Sequence, residues 1–260
     1  MDLNERPGTA FRRHPWEVAR AEFFARVVEG AALPGRPCRA LDVGAGDGFL
    51  ARRLLEDLPP ASTVACVDSN YTDDDLRGLA GTAAPGATPL AFSRTRPPGT
   101  FDLVLLLDVL EHIADDRDFL AELLASAVAP GGVVLVSVPA WDILYGQHDL
   151  ELKHFRRYQP AQCRALLENA GLRVVRAGGL FHSLLVPRLL QRMIEGAVRL
   201  TRRGRAKKPA NLGQWQAGAL ASAAVTLALN ADTRLSQLLA RFGRELPGLS
   251  YWALCRRGDG

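Results

Sequence analysis

Short unbroken apolar runs, each followed by a stretch of helical periodicity, constrain this chain more than any other feature. The runs are CRALDV at 38–43, TVACV at 63–67, a weaker one near 88–92, FDLVLLL at 101–107 and VVLVSV at 133–138. Between them lie FLARRLLEDL, a capped segment after Asn70 to Asp75, and residues 116–128, which read as helices. Strands apolar throughout are buried on both faces, and strands separated by helices pair in parallel. A helix over 160–170 ended by Gly171, a strand LRVVRA at 172–177, a helical region from about 182 to 245 and a strand SYWALC at 250–255 complete the series. The pattern predicts an α/β fold, a doubly wound and mostly parallel sheet of seven strands with a helical insertion before the last. An amphipathic helix over 15–30, with Trp16, Ala19, Phe23, Phe24, Val27 and Val28 at helical spacing, precedes it.

Composition supports one sizeable core. Of 260 residues 48% are hydrophobic, 23% charged and 7% aromatic, which excludes a disordered tail and a disulfide-stapled miniprotein. Cys38, Cys66, Cys163 and Cys255 lie far apart with no Cys-x-x-Cys pair, so a reduced, cytoplasmic setting and no metal site are expected. The opening MDLNERPG lacks a signal-type apolar stretch, and 217–229 is too short and alanine-rich to span a bilayer. Charge is asymmetric within the net +4. Residues 1–180 carry 19 Lys and Arg against 24 Asp and Glu, a balance of −5, and residues 181–260 carry 13 against 4, a balance of +9. A basic tail of this kind faces an anionic surface or is a solvated helix face.

The chemistry is written first in LDVGAGDG, 41–48, where a strand gives way to a helix. Gly44, Gly46 and Gly48 let the main chain turn sharply and admit a ligand against helix N–H groups. The spacing departs from the dinucleotide fingerprint, because Phe49 stands where its third glycine belongs. Asp42 and Asp47 place negative charge where a pyrophosphate would lie, which suits a cationic or zwitterionic ligand. Asp68, 20 residues after Gly48 at the end of the second strand, can take both hydroxyls of a ribose. A nucleoside without a phosphate bridge is the ligand expected.

These residues, with LLLDVLEHIADDRDFL at 105–120 and the order of elements over 38–178, resemble a class I S-adenosylmethionine-dependent methyltransferase. The resemblance implies S-adenosyl-L-methionine as cofactor and S-adenosyl-L-homocysteine as product, and an antiparallel last strand. It assigns cofactor binding to Asp42, Gly44, Gly46, Gly48, Asp68 and Asp108, and to Asn70 and Leu110. The adenine acceptor expected after the third strand is absent from AFSRTRP, where Ser93 or a carbonyl must substitute. HPWEVAR at 14–20 and HDLELKHFRRY at 148–158 are similar to HWW-x-x-x-R and HD-x-x-x-x-H-x-RRY blocks of a bacterial subgroup associated with small-molecule, sugar or lipid-linked substrates.

The second block lies just past the fifth strand, on the side where the crevice opens, so it favours an acceptor site. A hydroxyl acceptor needs a base near neutral pH, and His148, ahead of His154, is the candidate. The alternative is a surface loop in which Arg156 and Arg157 pair with Asp149 and Glu151 and Tyr158 packs on the next helix. His112 reads as structural rather than catalytic. The stripe Val186, Leu189, Leu190, Met193, Ile194, Ala197 and Val198 reads as core or, followed by RRGRAKK, as a peripheral membrane contact over 185–208. Trp215 and Trp252 read as packing residues, and base stacking on nucleic acid is not expected. The chain divides into an amino-terminal helical segment (1–37), a cofactor-binding core (38–180), a helical lid (181–246) and a last core strand (247–260). Two other readings remain open on sequence: a nicotinamide-dependent oxidoreductase, which the glycine spacing opposes, and a non-catalytic binding module docked through its basic part. Acceptor identity and oligomeric state are not encoded legibly.

Overall fold

The computed structural model describes residues 13–31, 33, 35–80, 90–201 and 217–258, with 196–201 described by their backbone only. Trp215, the run 202–208 and the start of the weak third strand lie outside the described residues.

Seven strands form one sheet. They are β1 (Arg39–Val43), β2 (Thr63–Val67), β3 (Leu90–Ser93), β4 (Phe101–Leu107), β5 (Val128–Pro139), β6 (Leu172–Leu180) and β7 (Ser250–Arg257). Their spatial order is β3-β2-β1-β4-β5-β7-β6. The pairs among β1 to β5 are parallel, whereas β7 runs antiparallel to both β5 and β6. The doubly wound, mostly parallel sheet expected from the apolar runs is thus present. Successive residues of β4 serve opposite faces: Leu103, Leu105 and Leu107 join one core cluster, and Val104 and Leu106 the other.

The first cluster is covered by α1 (Pro15–Glu29), α2 (Phe49–Leu55) and α8 (Ala219–Arg241), which contribute Phe23, Phe24, Leu54 and Leu229. The second is covered by α4 (Asp116–Ala127) and α6 (Pro160–Asn169), through Leu120, Leu124, Cys163 and Leu167. Three further helices are α3 (Asp73–Ala80), α5 (Gln147–Glu151) and α7 (His182–Thr201). The HPWE of the sequence is a helix start. The His14 ring accepts from Trp16 N at 3.3 Å, Glu17 returns to His14 N, and Pro15 fills the first helical position, where its missing N–H is no loss. Trp252, 1% exposed, packs edge-on against Phe23 at 5.2 Å, as a packing residue should. All four cysteines are free and buried.

Two strands run further than their sequence suggests. β5 begins at Val128, across Pro130 and two glycines, and pairs with β4 through a register shift between Phe101 and Leu103. β6 continues through Gly178 and Gly179, because the loop before β7 crosses it so closely that a Cβ at Gly179 would stand 2.3 Å from Gly248 N. The helical region resolves into α7 and α8. Asp232 of α8 accepts from His182 N at 3.2 Å and Ser183 N at 2.9 Å, tying the start of α7 to its neighbour.

Candidate active site

The carboxyl ends of β1, β2, β4 and β5 open on one side of the sheet, and the order reverses direction between β1 and β4. A crevice forms there in sheets of this type. The glycine loop fills its floor. Gly44, Gly46 and Gly48 have φ of 70°, 55° and 68°, all left-handed. A side chain at Gly48 would also place its Cβ 2.6 Å from the Phe92 ring, so only glycine fits. Gly44 N and Ala45 N donate to Val67 O at 2.7 and 3.2 Å, and Tyr71 donates from its hydroxyl to Gly46 O at 2.6 Å. The loop is therefore held rigidly against the end of β2.

Asp68 follows β2 and is partly exposed. Its Oδ2 accepts from Gly46 N at 3.3 Å and its Oδ1 from Asn70 N at 2.9 Å, which fixes the carboxylate beside the loop. Asn70 itself is exposed, and its backbone does this positioning. Ser93 Oγ donates to Thr95 O at 2.7 Å, so its lone pairs remain for a donor such as an exocyclic amine.

A cleft with about 510 Å³ of empty space, part of it open solvent, is lined by Arg13, Arg20, Asp42, Gly44, Asp47 and Leu107 among others. Asp42, on β1, is 3% exposed, and burial pushes its carboxyl up to about 7. Burial acts most strongly on Asp47 and would raise its carboxyl, but the paired Arg13 guanidinium and the Phe49 N–H are among the groups that together hold it low. Arg20 reaches from α1 to Asp108 Oδ2 at 2.8 Å and to Ser137 Oγ at 3.2 Å. Asp108 has a φ of 58° and its Oδ1 accepts from Ser137 Oγ at 2.8 Å, so the residue after β4 is turned and locked toward α1. Leu110 stands apart from this lining: it is wholly buried in the core, with its carbonyl 3.1 Å from the Tyr158 hydroxyl.

The acceptor block is built around Asp149, which is wholly buried. Its Oδ1 meets Arg157 Nε at 2.8 Å and His154 Nδ1 at 3.0 Å, and its Oδ2 accepts from Gly146 N at 2.8 Å. Burial alone would raise this carboxyl, but His154 and Arg157 together hold it well below the usual range. Arg157 thus pairs with Asp149 as in the surface-loop reading, whereas Arg156 turns away to Asp116 at 2.7 Å. Tyr158 donates to the same Asp116 at 2.7 Å. His148 is partly buried on α5 and burial lowers its pKa, favouring the neutral imidazole. α7 rests on the segment before it, with Arg192 Nε donating to Tyr145 O at 2.8 Å.

Sequence reasoning missed Arg20, Arg13 and Ser137, although the quoted HPWEVAR ends on Arg20. It also missed that His154 stands edge-on to His112, ring centroids 4.6 Å apart, beside the buried Glu111.

The residues fit the nucleoside that the sequence implies: a left-handed glycine cradle crowded at Gly48, a fixed carboxylate after β2, and buried acid near guanidinium. Comparison with known proteins agrees. A family profile described as a methyltransferase domain matches residues 11–177. A probable S-adenosylmethionine-dependent methyltransferase of Mycolicibacterium smegmatis is 33% identical over 66% of this chain and 62% of its own length. The ubiquinone biosynthesis O-methyltransferase of Caulobacter sp. is 30% identical over 40% of this chain and 42% of its own. The chain therefore spans less than two thirds of either relative. Among solved structures, an N-methyltransferase of Bradyrhizobium japonicum in complex with S-adenosyl-L-homocysteine shares the fold, with a TM-score of 0.52 and 12% identity over 94% of this chain and 88% of that one. A methyltransferase of Archaeoglobus fulgidus gives 0.50 and 15% over 93% and 94%.

Proposed function

The chain belongs to the class I S-adenosylmethionine-dependent methyltransferases, and from that premise we propose that it methylates a hydroxyl of a small-molecule acceptor. Membership displaces the nicotinamide reading. The cofactor, when bound, supplies a methyl group already activated on a sulfonium, so the protein's task is chiefly alignment. Asp68 takes the ribose hydroxyls and the glycine loop receives the amino-acid portion. Asp42 and Asp47 offer negative charge to its ammonium and sulfonium, while Arg20 and Arg13 offer positive charge to its carboxylate. Asp108 and Ser137 fix Arg20 for that contact.

The observation that carries the reading is the pairing of buried Asp42 with a left-handed glycine loop and a fixed Asp68, a crevice matched to a cationic nucleoside. A hydroxyl is favoured over an amine because His148, held neutral by burial, can accept the proton that a hydroxyl must lose. The relatives named for ubiquinone biosynthesis are O-methyltransferases, which supports an oxygen acceptor. We assign α7 and α8 to a lid over that acceptor. The outward face of α7, with Val186 at 62%, Met193 at 65% and Ile194 at 64% exposure, is assigned to an anionic lipid surface, and the basic run 202–208 follows it in sequence. Incubation with labelled donor and matched phenol, sugar-hydroxyl and amine acceptors tests the acceptor class. Label on oxygen supports the proposal, and label confined to nitrogen overturns it.

A further inference from the structure

Glu111 is wholly buried, and neither of its carboxylate oxygens has a hydrogen-bond partner. A buried carboxyl group without a hydrogen-bond partner costs a few kcal/mol as an order of magnitude, and an ionised one more, unless a proton or a cation neutralises it. One of its oxygens, a ring nitrogen of His112 and a ring nitrogen of His154 all lie within 4.8 Å of one another. Two imidazoles and a carboxylate are the donor set of a first-row divalent cation. Tetrahedral bonds of about 2.0 Å place ligand atoms about 3.3 Å apart, so closure asks only side-chain adjustment.

The surroundings match such a site. Asp149 holds His154 by Nδ1 at 3.0 Å, which sets the ring's orientation and leaves Nε2 as the nitrogen able to serve a metal. Asp149 is itself buried and fixed by Arg157 and Gly146 N. A carboxylate behind a histidine is the usual support of a metal ligand. Asp108, which pairs with Arg20 of the donor crevice at 2.8 Å, stands three residues before Glu111.

We propose that Glu111, His112 and His154 bind a divalent transition cation of the zinc class, with Asp149 as the positioning residue behind His154. Three protein ligands leave a position open for water or for an acceptor oxygen, the arrangement of catalytic rather than structural zinc. The proposal departs from the expectation of no metal, which rests on linear spacing: Glu111 and His112 are neighbours in sequence, but His154 reaches them only through the fold.

The test is equilibrium dialysis of the chelator-stripped full chain against Zn²⁺ alone, with Co²⁺ as a spectroscopic substitute. The expected result is one equivalent per chain and visible cobalt bands of a nitrogen and oxygen site. Glu111→Gln and His112→Ala should each abolish the bands, and Asp149→Asn should weaken affinity by about 10- to 100-fold. Glu111→Gln keeps the shape of the buried side chain, so its thermal midpoint in chelator should not fall. Unlike the wild type, it should gain nothing from added Zn²⁺. A wild-type chain that retains neither ion, or bands that survive both ligand variants, overturns the site. Donor binding is measured separately by calorimetry without metal, so failure here leaves the methyltransferase reading standing.

Discussion

Asp42 makes the sharpest statement a single residue can make here. Burial holds its pKa near 7 in the folded chain, against about 3.9 for an exposed aspartate. The folded state therefore keeps a proton that the unfolded state has lost. Its contribution to stability is fully present below about pH 4, declines as pH rises to 7, and is flat beyond. A cationic donor reverses the preference, since the ionised form attracts it. Affinity for S-adenosylmethionine should rise between pH 6 and 8 and binding should release a proton, measurable as a buffer-dependent calorimetric enthalpy. Asp42→Asn should remove the pH dependence, and an unchanged profile would dissociate Asp42 from the donor. His148 makes a different prediction. His148→Ala should leave donor affinity intact while turnover of a hydroxyl acceptor falls by about 10²-fold or more, and normal turnover would remove it from the mechanism.

Among the elements, the strand-loop-helix at 38–55 was the most legible, because left-handed glycines and a carboxylate after β2 leave marks in local sequence. Gly48→Ala should lose about 1–3 kcal/mol in a denaturant melt, from both its left-handed φ and the 2.6 Å approach of Phe92. A melt within error of wild type would show that the loop relaxes freely. β6 was read too short because Gly178 and Gly179 look like a break. They are instead what lets the loop at Gly248 cross the strand. α1 was legible as an amphipathic helix, but not as the element that carries Arg20 to Asp108. Periodicity reports which face of a helix is buried and says nothing of which polar group on its rim will meet a distant strand end. The Glu111, His112 and His154 cluster was hidden for the same reason, and the Asp149 contact that fixes the His154 ring lies five residues away along the chain.

At the scale of the whole molecule, the sequence's apolar runs were enough to specify the sheet, because burial on both faces demands them. The antiparallel direction of β7 came from family resemblance, since nothing local distinguishes it from another parallel strand, and its place between β5 and β6 is given by the structure. The stripe on α7 could be read as core or as surface, and the structure leaves Val186, Met193 and Ile194 exposed. No helix among the described residues is long and apolar enough to cross a membrane, so contact with lipid would be lateral. The chain should cosediment with vesicles containing anionic phospholipid, less so in high salt, and Met193→Glu with Ile194→Glu should reduce the bound fraction at least severalfold. Equal cosedimentation of that variant would assign the face elsewhere.

The pH dependence of donor affinity and the turnover of an acceptor both depend on the crevice at the ends of β1, β2 and β4 holding an S-adenosyl nucleoside. Calorimetric titration with S-adenosyl-L-homocysteine measures this without any knowledge of the acceptor. A single saturable site in the wild type, lost in Asp68→Ala and in Gly46→Val, is the result expected. No heat in the wild type, or heat that both variants retain, would contradict the account.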